Sequence, residues 1–123
     1  MKNVAILANN FKPDRYSYMA FNLLREYGHN VFPVGPVLEE LDSIKVYRKI
    51  RDIPVSLDTI TLYLNPFFIK PIMDEIIEKQ PALVLFNPGT ESDELETLLK
   101  ESHIRTLRAC TLVLLRTGRF EHI

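Results

Sequence analysis

A single cysteine, Cys110, excludes an intramolecular disulfide and fits a reducing compartment. No apolar run reaches the length of about 20 residues that a bilayer crossing needs, and Lys2 is followed only by a strand-length run. Neither a membrane span nor a signal peptide is expected, and a soluble cytoplasmic protein is. Charge of one sign is lacking too. Residues 1–57 carry eight basic and six acidic side chains (+2) and residues 58–123 carry seven and ten (−3), giving the net −1 and no basic face for nucleic acid. His29, His103 and His122 lack zinc-ligand spacing and read as surface or terminal residues, and no Gly-x-Ser-x-Gly elbow occurs. No metal is expected.

Glycine is scarce, and its absence from one place matters most. The chain opens with the apolar strand Val4 to Ala8, which breaks into the turn Asn9-Asn10-Phe11-Lys12-Pro13-Asp14-Arg15 and then a helix. In an open α/β sheet this junction is where the phosphates of a nucleotide rest, at a strand's carboxyl end and a helix N-terminus. A phosphate cradle normally uses glycine to let backbone N–H groups approach the ligand, and this turn has none. A Gly-x-Gly-x-x-Gly fingerprint is absent as well. Asparagine tolerates the left-handed conformation, so Asn9 and Asn10 are expected to stand in.

What is present is one domain's worth of alternating elements, residues 1–123, with 46% hydrophobic residues for a single core. Strand-length apolar runs alternate with helical periods, which predicts a three-layer, doubly wound, mostly parallel sheet of about five strands. A helix is expected over Tyr16 to Tyr27, with Met19, Leu23 and Leu24 facing the sheet and Gly28 as its stop. Strands follow at Asn30 to Val34, at the edge around Lys45 to Tyr47, and at Leu57 to Leu64. Asn65-Pro66 caps a helix reaching about Lys79, with Pro71 tolerated or kinking it. Ala82 to Phe86 is another buried strand, and Ser92 opens a helix to about Ser102 whose first acids, Asp93 to Glu96, form a solvated face. Arg105 to Leu107 and Thr111 to Leu115 read as short strands or extended segments flanking Cys110.

The strands' carboxyl ends collect the candidate ligand residues. Lys12 and Arg15 suit phosphate oxygens, and Ser17 adds a hydroxyl near the helix start. The same three residues also fit a solvated loop with an ordinary capping serine. Gly35-Pro36 permits close approach of a ribose or adenine, or simply ends a strand. Tyr63, Asn65 and Asn87-Pro88-Gly89 complete the rim, with the helix-cap reading favoured for Asn65. Cys110 reads as a small, half-buried apolar residue, since no histidine is placed beside it.

In order and spacing these segments resemble the small stand-alone coenzyme A-binding domain family, relatives of the CoA-binding module of succinyl-CoA synthetase. The likeness rests on Pro13-Asp14-Arg15-Tyr16-Ser17-Tyr18, on Tyr27-Gly28-His29-Asn30-Val31-Phe32-Pro33-Val34-Gly35-Pro36, on Lys45-Val46-Tyr47 through Asp52-Ile53-Pro54 to Leu57-Asp58, and on Cys110. The resemblance implies a Rossmann-like fold. It places Ala8, Asn9, Asn10, Arg15 and Ser17 along the diphosphate of coenzyme A, Gly35 and Pro36 near the adenosine, and Tyr63 to Asn65 and Asn87 to Gly89 along the rest of the crevice. It also implies a binding module rather than an enzyme. The chain departs from the family pattern at Leu7-Ala8-Asn9 for Gly-Ala-Ser, at Val34-Gly35-Pro36 for Val-Asn-Pro, and at Leu64-Asn65-Pro66, where an arginine is usual. Two alternatives therefore stay open: an interaction domain of the same fold that has lost the ligand and forms a homo-oligomer, and an enzyme acting on a nucleotide or thioester.

Overall fold

Seven strands and five helices order the chain: β1 Asn3–Ala8, α1 Tyr16–Glu26, β2 Asn30–Val34, β3 Glu40–Leu41, β4 Ile44–Lys45, β5 Thr59–Tyr63, α2 Pro66–Ile69, α3 Met73–Lys79, β6 Leu83–Phe86, α4 Asp93–Glu101, β7 Arg105–Arg108 and α5 Thr111–Arg116. The computed structural model describes residues 1–123. Five strands form one parallel sheet in the order β2-β1-β5-β6-β7. Alternate strand residues feed opposite cores, as the two-residue period requires. Ala5, Leu7, Ile60, Leu62, Val84 and Phe86 pack with Ile69, Met73, Ile76, Leu95 and Leu99 from α2, α3 and α4. Val4, Ile6, Ala8, Leu83 and Leu85 pack on the other face with Ala20, Phe21, Leu24, Leu112 and Leu115 from α1 and α5. This is the expected three-layer α/β sheet. No helix is long and apolar enough to cross a membrane.

Several local expectations are corrected. The segment Thr111 to Leu115 is the helix α5, not a strand, and it buries Thr111, Leu112, Leu114 and Leu115. A short apolar run has no period of its own to choose between the two, and the helix start is set by a tertiary contact described below. The edge strand expected at Lys45 to Tyr47 is instead the β3–β4 hairpin, turning at Asp42 and Ser43 with φ of 48° and 69°, followed by a single bridge from Tyr47 to Val34. Pro71, which has no N–H, divides the helix after Asn65 into α2, a 3-10 turn over Lys70–Ile72, and α3. In α1 the buried residues are Ser17, Ala20, Phe21 and Leu24, while Met19 is exposed. Glu96 is buried rather than solvated, held by Arg108 Nε at 3.0 and 2.9 Å.

His29, expected at the surface, is buried against Phe120. Its Nδ1 accepts the Lys2 backbone N–H at 3.0 Å, so the neutral ring carries its proton on Nε2, 3.2 Å from Glu121 Oε1. Burial lowers the His29 pKa below its ordinary 6.5, Glu121 opposes that, and the N-terminal ammonium and Lys2 reinforce it. On acidification the unfolded chain therefore binds a proton on His29 before the folded chain does. The stabilisation is complete above about pH 6.5 and is lost as pH falls through the folded-state value. The Tm is expected to fall between about pH 7.5 and about pH 5.5, and to fall less in His29→Gln; equal pH slopes in the two proteins would contradict this.

Candidate functional site

The strand order changes direction between β1 and β5: from β1 the chain runs outward to β2, then crosses back to β5 and onward to β7. Connections leave in opposite directions at such a switch point, so a crevice opens outside the carboxyl ends of the two strands. Ala8 and Tyr63, which end β1 and β5, face each other there in register.

Beyond Ala8 the turn is built without glycine. Asn10 Oδ1 accepts the Lys12 N–H at 3.2 Å, Arg15 N–H donates to the Lys12 carbonyl at 2.9 Å, and the buried Ser17 hydroxyl donates to the Asn10 carbonyl at 2.9 Å. No residue from Asn9 to Ser17 has positive φ, so Asn9 and Asn10 do not act as left-handed substitutes. The asparagine works through its side chain, as an Asx turn. The missing glycine is found across the crevice. A Cβ on Gly35 would stand 2.9 Å from the Ala8 carbonyl oxygen and 3.4 Å from the Phe11 ring, so the close approach of the two turns rests on Gly35.

Three recesses follow one another along this edge. The first, about 340 Å³, lies between Asn9 to Pro13 on one side and Gly35, Val37, Leu38 and Val46 on the other. Its outer wall is fixed by Arg48, whose guanidinium donates to the carbonyls of Gly35 at 3.1 Å, Leu38 at 2.5 Å and Val37 at 3.4 Å. Sequence reasoning missed Arg48, because an isolated arginine between two loops carries no motif. Pro36 is exposed beside this wall. The second recess, about 250 Å³, is lined by Ala8, Asn9, Asn10, Arg15, Tyr16, Ser17 and Tyr63. It sits at the start of α1, where no side chain caps the helix and the Tyr16 and Ser17 N–H groups have no acceptor. Lys12 and Arg15 are exposed and make no ion pair, leaving positive charge beside the helix start. The third recess, about 320 Å³, adds Pro88, Cys110, Leu112, Val113 and Arg116 to Tyr16, Tyr63 and Asn87. Asn9 and Asn10 are shared by the first two recesses, and Tyr16 and Tyr63 by the last two.

Several candidate residues hold the rim together instead of facing the crevice. Asn87 is buried, and its amide donates to Thr61 Oγ1 at 2.6 Å and to the Leu62 carbonyl at 2.8 Å. Its Oδ1 accepts from the Thr111 N–H and the Thr111 hydroxyl, each at 2.9 Å, and Thr61 meets Thr111 at 2.7 Å. The three side chains close a ring in which each hydroxyl donates once and accepts once, and this ring starts α5. Asn65 caps α2, its Oδ1 accepting the Phe67 N–H at 2.9 Å. Gly89 takes φ of 94° and donates its N–H to Glu91 Oε1 at 2.8 Å. Tyr63 differs: its hydroxyl is shut from solvent beside the Thr61 and Thr111 hydroxyls, whose well-formed hydrogen bonds go to Asn87 and to each other. Burial pushes its pKa up to about 12, keeping the phenol protonated.

Comparison with known proteins places this geometry. The chain is 22% identical over 100 residues to protein YneT of Bacillus subtilis, covering 81% of this chain and 74% of that one. It is 29% identical over 79 residues to the alpha subunit of the ADP-forming acetate–CoA ligase II of Pyrococcus furiosus, which covers 63% of this chain but only 17% of the subunit. The crystal structure of an uncharacterized protein superposes with a TM-score of 0.91 at 38% identity, over 98% of each chain, confirming the Rossmann-like arrangement. A family model described as a CoA binding domain matches residues 2–116, and the chain belongs to that family.

Proposed function

We propose that the protein binds coenzyme A or an acyl-CoA along the crevice, as a binding module without catalytic activity of its own. The supporting observation is the run of three joined recesses across the β1/β5 switch point. The apolar first recess, between Phe11 and Val46, suits the adenine ring. The Asn9 to Ser17 turn, with Lys12, Arg15 and the uncapped start of α1, suits the diphosphate. Pantetheine then runs past Ala8 and Tyr63 toward Pro88. Asn65, Asn87 and Gly89 support this path through the backbone they hold. Cys110 lines the third recess, whose other lining residues include no histidine or carboxylate to act as a base, which favours binding over chemistry.

Thermal denaturation with added ligand tests this. CoA at about 100 times its Kd adds about 2.7 kcal/mol to stability, a rise of roughly 10 °C in a domain of this size. Arg15→Ala is expected to weaken CoA binding about tenfold, the worth of one charge-assisted contact. An unchanged Tm at millimolar CoA would contradict the proposal.

A further inference from the structure

We infer that the third recess receives an acyl group carried on the ligand's sulfur, so that the preferred ligand is a short, neutral acyl-CoA thioester rather than free coenzyme A. The inference rests on the binding mode proposed above. In that mode the adenine lies in the first recess, so the third lies at the sulfur end, reached between Tyr16 and Tyr63.

Its walls are apolar where they are free. Pro88, Leu112 and Val113 join the two tyrosines, and Val113 and Tyr16 are 53% and 69% exposed, so apolar surface remains open to be covered. The polar groups at its floor are already engaged, since Asn87, Thr61 and Thr111 satisfy one another in the closed ring. A free thiol or a solvated carboxylate gains little there. The Tyr63 hydroxyl is shut from solvent beside Thr61 and Thr111 and is not offered to the recess. An acyl chain covers the exposed apolar wall that a bare thiol leaves in water, so the recess favours the acylated ligand. Arg116 lines the outer rim from the last turn of α5, where its charge complements the helix end. A carboxylated acyl chain is thus the competing class.

Calorimetric titration of the full chain with CoA, acetyl-CoA, butyryl-CoA and succinyl-CoA separates the outcomes. Butyryl-CoA is expected to bind most tightly, with a gain of about two- to fourfold for each added methylene. Val113→Trp, which fills the recess from its exposed rim, is expected to bring the ratio of butyryl-CoA to CoA affinity close to one. CoA binding as tightly as butyryl-CoA would overturn the inference while leaving the binding mode standing. Succinyl-CoA binding most tightly would overturn the neutral class. Failure of every ligand to bind would overturn the binding mode and the inference together.

Discussion

Asn87→Ala is expected to lower the Tm by roughly 10 °C, the loss of about 3 kcal/mol from a domain of this size. Asn87 is buried and makes four hydrogen bonds, two donated to Thr61 and Leu62 and two accepted from Thr111. Alanine removes all four and leaves the Leu62 carbonyl, the Thr111 N–H and two buried hydroxyls with incomplete partners, each costing on the order of 1 kcal/mol. Asn87→Asp is expected to fare no better, since it keeps the acceptor for Thr111 but puts a carboxylate against Thr61 Oγ1 and the Leu62 carbonyl. Because the ring starts α5, ligand affinity is expected to fall with stability. Asn65→Ala provides the contrast, removing one exposed cap at a cost of about 1 kcal/mol. Chemical denaturation of the two variants checks the ranking, and equal losses would contradict the structural role of Asn87.

Gly35→Val is expected to weaken ligand binding about tenfold or more while also destabilising the fold by about 1–3 kcal/mol. The position does not need glycine for its backbone conformation, because only Gly28, Gly89 and Gly118 among the glycines have positive φ. It needs glycine for space. The atom 2.9 Å from the added Cβ is the backbone carbonyl of Ala8, at the end of a central strand, and cannot swing aside like a flexible side chain. Either the turn after β2 or the first turn must then move, and both form walls of the first recess. Binding measured beside the unfolding curve distinguishes this from simple loss of fold. A folded Gly35→Val protein that binds CoA normally would contradict the assignment of the first recess.

The layered, mostly parallel sheet was legible in the sequence because Val4 to Ala8 and Ala82 to Phe86 are apolar runs too short for helices and bounded by turns, and Leu57 to Leu64 alternates and is rich in β-branched residues. The helix α5 was not, because its start depends on Asn87, 24 residues away, and no local signal reports that contact. The same distance hid the role of Gly35. Read locally, the first turn lacks glycine; in space, the close approach it needs is provided by a glycine that follows a different strand. Arg15 and Ser17 were singled out as ligand contacts from the strand–turn–helix pattern, and Ser17 turns its hydroxyl inward to Asn10 and shapes the turn from beneath. His29 and Glu96 were misread as solvated because their partners, Lys2, Glu121 and Arg108, are brought to them only by folding.

The central claim is that coenzyme A lies across the β1/β5 switch point in the three joined recesses. Titrating ¹⁵N-labelled protein with CoA and following backbone amide shifts reads that claim residue by residue. Saturable changes are expected at Asn9 to Ser17, at Gly35 to Leu38, and around Tyr63 and Cys110 to Val113, with β7 and α4 unmoved. Shifts confined to another face, or none at millimolar CoA, would contradict it.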